Sequence, residues 1–288
     1  IDAFGLNLVG GGSTTNTGVI NVGGASTANL GVSAGHNINN AGGVINIANG
    51  SVVNQFGSTI SGGSINTTGT GALVVFGNGS NFLKGVTLGG RMDMASNFAL
   101  QRIQNGLTLS GGTIDIANGS VLSFEGTSTL AGTGSIAFGA VGGINNRLYF
   151  DGNGTTTFSA GTTVRGHSGT IGSQINIGGT QVLVNNGTIS ADVAGGTITI
   201  LESAVTNNGT LSALNGGTLV LSSDVTGTAS GQGAAGAGST VLQSGITISG
   251  TINTSGSGQF RATGDGNNFL SGVTFNGDLD MASVFGLE

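Results

Sequence analysis

The sequence predicts an all-β chain wound as a parallel β-solenoid, a right-handed β-helix with coils of about 20 residues. Three observations carry that expectation. Short apolar–polar alternations recur along the whole chain, Asn-Gly and Gly-Gly steps separate them, and whole blocks return at two nested periods. Alternation over three to five residues is the signature of a short half-buried strand, and the Gly steps supply the positive φ that tight corners need.

Composition points the same way. The 288 residues include 60 Gly and only 6% charged residues, with no Pro, Cys or Trp. Proline cannot donate to a β-ladder, so a chain whose strands have neighbours on both sides has few places for it. Stacked like charges would repel at a coil spacing of about 4.8 Å, whereas stacked Asn, Thr and Ser can bond in ladders. Regular apolar spacing argues for a folded chain rather than a disordered Gly/Ser/Thr/Asn tract. The absence of Cys removes thiol chemistry and Cys-based metal sites. A formal charge of −6, with six scattered cations (Lys84, Arg91, Arg102, Arg147, Arg165, Arg261), argues against nucleic acid as a partner. Runs such as "ALVVF" at 72–76 fall far short of the roughly 20 residues that span a bilayer, so no membrane insertion of this segment is expected. No signal peptide is visible, and a chain beginning at Ile1 reads as a processed product or a fragment.

Taken in order, the first clear unit is "GGVINIANGSVV" at 42–53, which returns as "GGTIDIANGSVL" at 111–122 with nine of twelve positions identical. Within it, Ile114-Asp115-Ile116 sends two apolar side chains to one face. In the second half "NNGTIS" at 185–190 returns as "NNGTLS" at 207–212, and "GGTITI" at 195–200 returns as "GGTLVL" at 216–221. Each unit is read as one coil, with equivalent strands stacked along the axis over a continuous apolar core. About fourteen such coils would make a rod on the order of 65–70 Å long. The stretch "TGTASGQGAAGAGST" at 226–240 reads as a long insertion.

The long period is 187 residues. "NFLKGVTLGGRMDMASNFAL" at 81–100 matches "NFLSGVTFNGDLDMASVFGL" at 268–287 in thirteen of twenty positions. "GSINTTGTG" at 63–71 likewise matches "GTINTSGSG" at 250–258. Residues 1–288 are thus expected to form one continuous solenoid of about 1.5 long-period copies, with 63–100 matching 250–287. No polar cap is evident, so the chain reads as part of a longer array.

Few residues offer chemistry. Asp278 and Asp280, at i and i+2 on a strand, would face one side, as two carboxylates about 5–9 Å apart do in glycoside hydrolysis. The first copy has Arg91 where Asp278 stands, while Asp93/Asp280, Met94/Met281 and Ala95/Ala282 agree, which favours a scaffold role. Asp115 is Asn46 in its partner block. His36 and His167 lack zinc spacing and read as solvated loop residues. The nearest approaches to a calcium repeat are "TGDGNNFLSG" at 263–272 and "YFDGNGTTTF" at 149–158. Neither repeats its Asp, and Asn78 stands where the second copy has Asp265. Asn-Gly-Ser/Thr triplets begin at Asn49, Asn78, Asn118, Asn153, Asn186 and Asn208; they fit the glycosylation sequon, but recurring in step with the coil they read as turns. No phosphate-binding glycine loop is present, coil lengths are too uneven for an ice-binding lattice, and no catalytic, metal or cofactor residue is assigned.

"VNNGTISADVAGGTITI" followed by "VTNNGTLSALNGGTLVLSSDVTG" resembles the β-strand repeats of large bacterial extracellular proteins, the autotransporter passengers and filamentous-haemagglutinin-like adhesins. The resemblance covers most of the chain and is one of repeat style. It implies secretion, an exposed rod at the bacterial cell surface or in an extracellular matrix, and adhesion or fibre formation. The expected function is therefore structural and non-enzymatic. Expected partners are the chain itself, end to end or laterally, or a surface or matrix polysaccharide. A polysaccharide-active β-helix enzyme (lyase or glycoside hydrolase) and a carbohydrate-binding solenoid are the alternatives.

Overall fold

In the computed structural model, residues 2–3, 5–95, 98–140, 145–227 and 231–281 are described. They contain 33 β-strands and no helix, and every strand pairing is parallel. The strands close into a β-solenoid of about 12 turns with about 22 residues per coil. That is fewer and longer coils than the sequence suggested, because several corners carry extra residues between strands, as at 172–180 and 263–268. At a step of about 4.8 Å the stack is roughly 55–60 Å long.

Each coil crosses three faces in a fixed order. Face 1 runs through the strands Val19–Val22, Val44–Ile47 and Ser64–Thr67. Face 2 runs through Asn29–Ser33, Val52–Phe56, Ala72–Val75 and Arg91–Met94. Face 3 begins with Ser13–Thr15, Asn37–Asn39 and Thr59–Ser61 and ends with Gln259–Ala262 and Leu279–Asp280. The strand Leu100–Ile116 makes a complete circuit without a break, its corners turning at Asn105, Gly106 and Gly111, all with positive φ.

Every second residue points inward, so equivalent apolar side chains stack in columns. Ile20, Ile45, Ile65, Leu88 and Leu109 form one column on face 1, and Leu30, Val53, Leu73, Met92, Ile114, Ile136, Val164, Ile189 and Leu211 form one on face 2. All of these side chains are buried and belong to one core. Near the middle the core admits aromatic rings, and Phe150 meets Phe124 and Phe158 edge-on at 6.5 and 5.9 Å. Such T-shaped pairs suit ring quadrupoles.

The Gly-Gly steps have two separate causes. Gly195 sits at φ 72, in the left-handed region that side chains with a Cβ avoid. Gly196 instead lies against the coil beneath, where a Cβ would stand 2.1 Å from the His167 carbonyl oxygen. The doubled asparagines also divide their work. Asn185 turns inward and donates to Asn207 Oδ1 at 2.7 Å, while outside Asn208 donates to Asn186 Oδ1 at 3.1 Å.

The short repeats stack as expected where they are adjacent: Thr188 pairs with Thr210, and Ile198 with Leu219. More distant repeats do not share a face. Val44–Ile47 lies on face 1, whereas its matching residues 113–116 lie on face 2. The long period behaves likewise. Phe82 pairs with Thr59 and Arg102 on face 3, and its counterpart Phe269 pairs with Thr247 on face 1. The 187-residue step thus spans about eight coils and one further face. Within the stretch 226–240, Gly231–Ala235 form a face 2 strand between 210–213 and 252–254, with a register shift near Thr210, where a long insertion was expected.

Candidate functional site

Among the described residues, four of the six basic side chains reach a carboxylate on a neighbouring coil. Arg91 bonds Asp115 on the next coil at 2.7 Å and its own strand's Asp93 at 3.0 Å. Asp93 and Asp115 are register partners, so Arg91 relieves two stacked carboxylates that would otherwise repel. Desolvation works against the Arg91 charge, but these two carboxylates hold its proton above the ordinary range. Arg102 bonds Glu125, which also accepts from Gln104 at 2.6 Å, and Arg165 bonds Asp192 at 2.7 Å. Lys84 and Arg102 flank the Phe82 ring at 5.2 and 4.5 Å, and Arg147 lies 5.9 Å from the Tyr149 ring.

Asp280 lies beside Arg261 of the coil below, at 3.4 Å. Asp278 is exposed just before the strand Leu279–Asp280, and its backbone N–H donates to Thr254 Oγ1 at 2.8 Å. The two acids therefore share one edge, but one is engaged in a coil-to-coil ion pair. In the first copy Asp93 Oδ1 accepts the Ala95 N–H at 2.8 Å, closing the strand end. The partner of Ala95 in the second copy, Ala282, lies outside the described residues, as do 283–287 of the long match.

The other singled-out residues are structural in their geometry. Asn78 accepts the Ser80 N–H at 2.8 Å, and Asp265 accepts the Asn267 N–H at 2.9 Å, so both close the same Asx turn. Gln55 and Gln243, one residue off the 187-residue step, also act alike. Gln55 donates to the Ser58 and Phe82 carbonyls, and Gln243 to those of Ile246 and Phe269. Asn118 takes a positive φ and donates to the Ala95 carbonyl at 2.7 Å, while Ser120 of the same triplet turns inward to accept the Ala99 N–H. Asn49 and Asn153 accept the Thr70 and Thr180 N–H groups of adjacent coils at 2.9 and 2.8 Å. His167 meets Ser168 Oγ at 2.7 Å and is half-buried. His36 departs from the expected solvated loop: it is buried and bonds Thr14 Oγ1 at 3.0 Å, because the coil below packs beneath it. Among the described residues no group of three His, Asp or Glu could hold a metal ion.

Two carboxylates hold the corner excursion at 172–180: Asp151, the acid of the 149–158 stretch weighed as a calcium repeat, and Glu202, which escaped the sequence reading. Asp151 is buried, which by itself pushes its carboxyl up. The Ser123 hydroxyl and the N–H groups of Ile177, Ile175 and Asn176, at 3.1, 2.8 and 2.9 Å, more than offset this and leave it below its ordinary value. On the opposite side Glu202 accepts the Ser173 and Ser203 N–H groups at 3.0 and 3.1 Å. Desolvation outweighs these bonds and pushes Glu202 up to about 7. It sits in an open cleft of about 420 Å³ with Ser173, Gln174, Leu201 and Ser203. A carboxyl that titrates near neutrality can act as a general acid, but both Glu202 oxygens are taken up by the backbone they clamp. No alternation or repeat marks either residue, since each acts across coils on a segment with no counterpart elsewhere.

In comparisons with known proteins, no family model, no curated protein and no solved structure matches the chain.

Proposed function

We propose that this chain is a non-enzymatic structural rod, a segment of a secreted bacterial cell-surface adhesin or extracellular matrix fibre that associates with like coils. The observation that carries this reading is the disposition of the polar groups. Arg91, Arg102, Arg165 and Arg261 each reach a carboxylate on the next coil, so the polar side chains tie coil to coil. Outward asparagines do the same: Asn46 donates to Asn21 and Asn66 to Asn46, at 3.1 and 3.3 Å. A stack with bonds along its axis on all three faces resists bending and extension, which is the property a spacer needs.

Small-angle scattering of the purified chain tests the shape: a rod is expected, and a compact globule would end the reading. Incubation with acidic and neutral polysaccharides tests the class. No release of reducing or unsaturated ends is expected, and release abolished by Glu202→Gln would make this an enzyme. Retention on an insoluble neutral polysaccharide without turnover would favour the carbohydrate-binding alternative.

A further inference from the structure

The exposed phenylalanines are gathered rather than scattered. Phe56, Phe76 and Phe98 are 47%, 37% and 56% exposed, and all three lie at the corner between faces 2 and 3 on consecutive coils. The other exposed phenylalanine among the described residues, Phe269, is on the last described coil. Gln55 pairs with Val75, so Phe56 and Phe76 stand one above the other, and the Leu100 N–H, on the coil of Phe98, donates to the Phe76 carbonyl. The rings thus form a row along the axis at steps of about 4.8 Å. Across the turn 77–81, Phe82 gathers Lys84 and Arg102, whose cationic groups lie 5.2 and 4.5 Å from its ring centroid. Arg102 also donates to the Gly79 carbonyl of that turn at 3.1 Å, which places the cations beside the row.

We propose that this strip is a binding site for a linear acidic polysaccharide, one whose uronate carboxylates are spaced between uncharged sugars. The inference goes beyond the rod reading, which needs no ligand. Exposed rings in a row mark a contact face, and their electron-rich faces suit the C–H face of a pyranose. A row along the axis suits an extended chain rather than a compact ligand. Charge decides the sign of the partner. Residues 3–92 contain no Asp or Glu, and residues 3–104 set Lys84, Arg91 and Arg102 against Asp93 alone, a balance of +2 in a chain of −6. The acids of the surrounding coils are already held, Asp93 and Asp115 by Arg91 and Glu125 by Arg102. Lys84 makes no ion pair among the described residues, so its ammonium is left for a carboxylate from outside. A nucleic acid strand brings a charge at every unit, which one such lysine does not match.

The test titrates the full chain into fluorescein-labelled hyaluronan fragments, which carry one carboxylate per disaccharide, and into the same fragments after carboxyl reduction. Anisotropy is expected to rise saturably with both, several-fold more tightly with the acidic form at low salt, an advantage that fades at 1 M salt. Lys84→Gln should weaken hyaluronan binding about two- to five-fold and leave the reduced form unaffected. The double variant Phe56→Ala/Phe76→Ala, checked for unchanged circular dichroism, should abolish binding of both. Val193→Ala, an exposed change on the same corner farther along the stack, should alter neither. Absence of saturable binding, equal affinity for the two forms at low salt, or hyaluronan binding unchanged in Lys84→Gln would overturn the proposal. Tighter binding of a thymidine oligonucleotide than of hyaluronan would also overturn it. So would a chain that ignores the sugar but dimerises, with the dimer lost in the phenylalanine variant, by giving the strip to a second copy. A chain that scatters as a rod yet binds no hyaluronan would fail this inference alone.

Discussion

At the residue scale, the groups that decide local stability are the ones that answer to the coil above or below. Asp151 receives three consecutive backbone N–H groups. Asp151→Ala leaves those donors and the Ser123 hydroxyl without their acceptor, and a loss of roughly 2–4 kcal/mol is expected in denaturant unfolding. Because the folded-state carboxyl titrates below its ordinary value, its contribution is present at neutral pH and is lost as pH falls through the folded-state value. Glu202 has the opposite sign. Its folded-state value, about 7, lies above the ordinary 4.5, so the folded chain binds the extra proton between those limits. Stability from this group is therefore greatest below about pH 4.5, declines as pH rises from there to about 7, and changes no further above that. Unfolding midpoints measured from pH 5 to 8 should fall for the native chain and run flatter for Glu202→Gln. Identical slopes would show that Glu202 is not the titrating group.

At the element scale the working unit is a tile of one strand and one corner. The tile needs inward alternation, a positive-φ residue to turn, and no side chain where the next coil lies close. Gly195→Ala violates only the φ requirement, for about 1 kcal/mol. Gly196→Ala instead drives a methyl group to 2.1 Å from the His167 oxygen and must push two coils apart, so a loss of about 2–4 kcal/mol is expected. Thermal unfolding of the two variants side by side checks the order; a milder Gly196 variant would mean that the corner relaxes freely. The φ requirement was legible in the Gly-Gly spacing, whereas the close approach of the next coil became visible only in the stack. The clamps on 172–180 were not legible either, because a segment that occurs once leaves no period to read.

At the scale of the whole molecule, stability is a chain of nearest-neighbour interfaces. The inner coils have partners on both sides, whereas edges such as Phe269–Asn276 and Leu279–Asp280 are largely exposed. Amide hydrogen exchange is therefore expected to be slowest in the strands stacked on both sides, such as those around 100–220. Uniform protection along the chain would contradict stepwise coupling. The one-face advance of the long period has a further consequence: matching surface features such as Asp93 and Asp280 point from different sides of the rod.

The solenoid class, the strand-and-corner tile and both periods followed from the sequence alone, because inward alternation and corner glycines are local demands that each tile must meet for itself. Only the tertiary structure decided which face each tile occupies. "GGVINIANGS" and "GGTIDIANGS" read alike, yet their strands lie on faces 1 and 2. The three faces ask nearly the same of a strand, so the assignment is set by the summed lengths of all intervening coils, and a corner of three residues or nine shifts everything beyond it. The same holds for the acid pair at 278 and 280. Its spacing is local, but its meaning depends on Arg261 beneath.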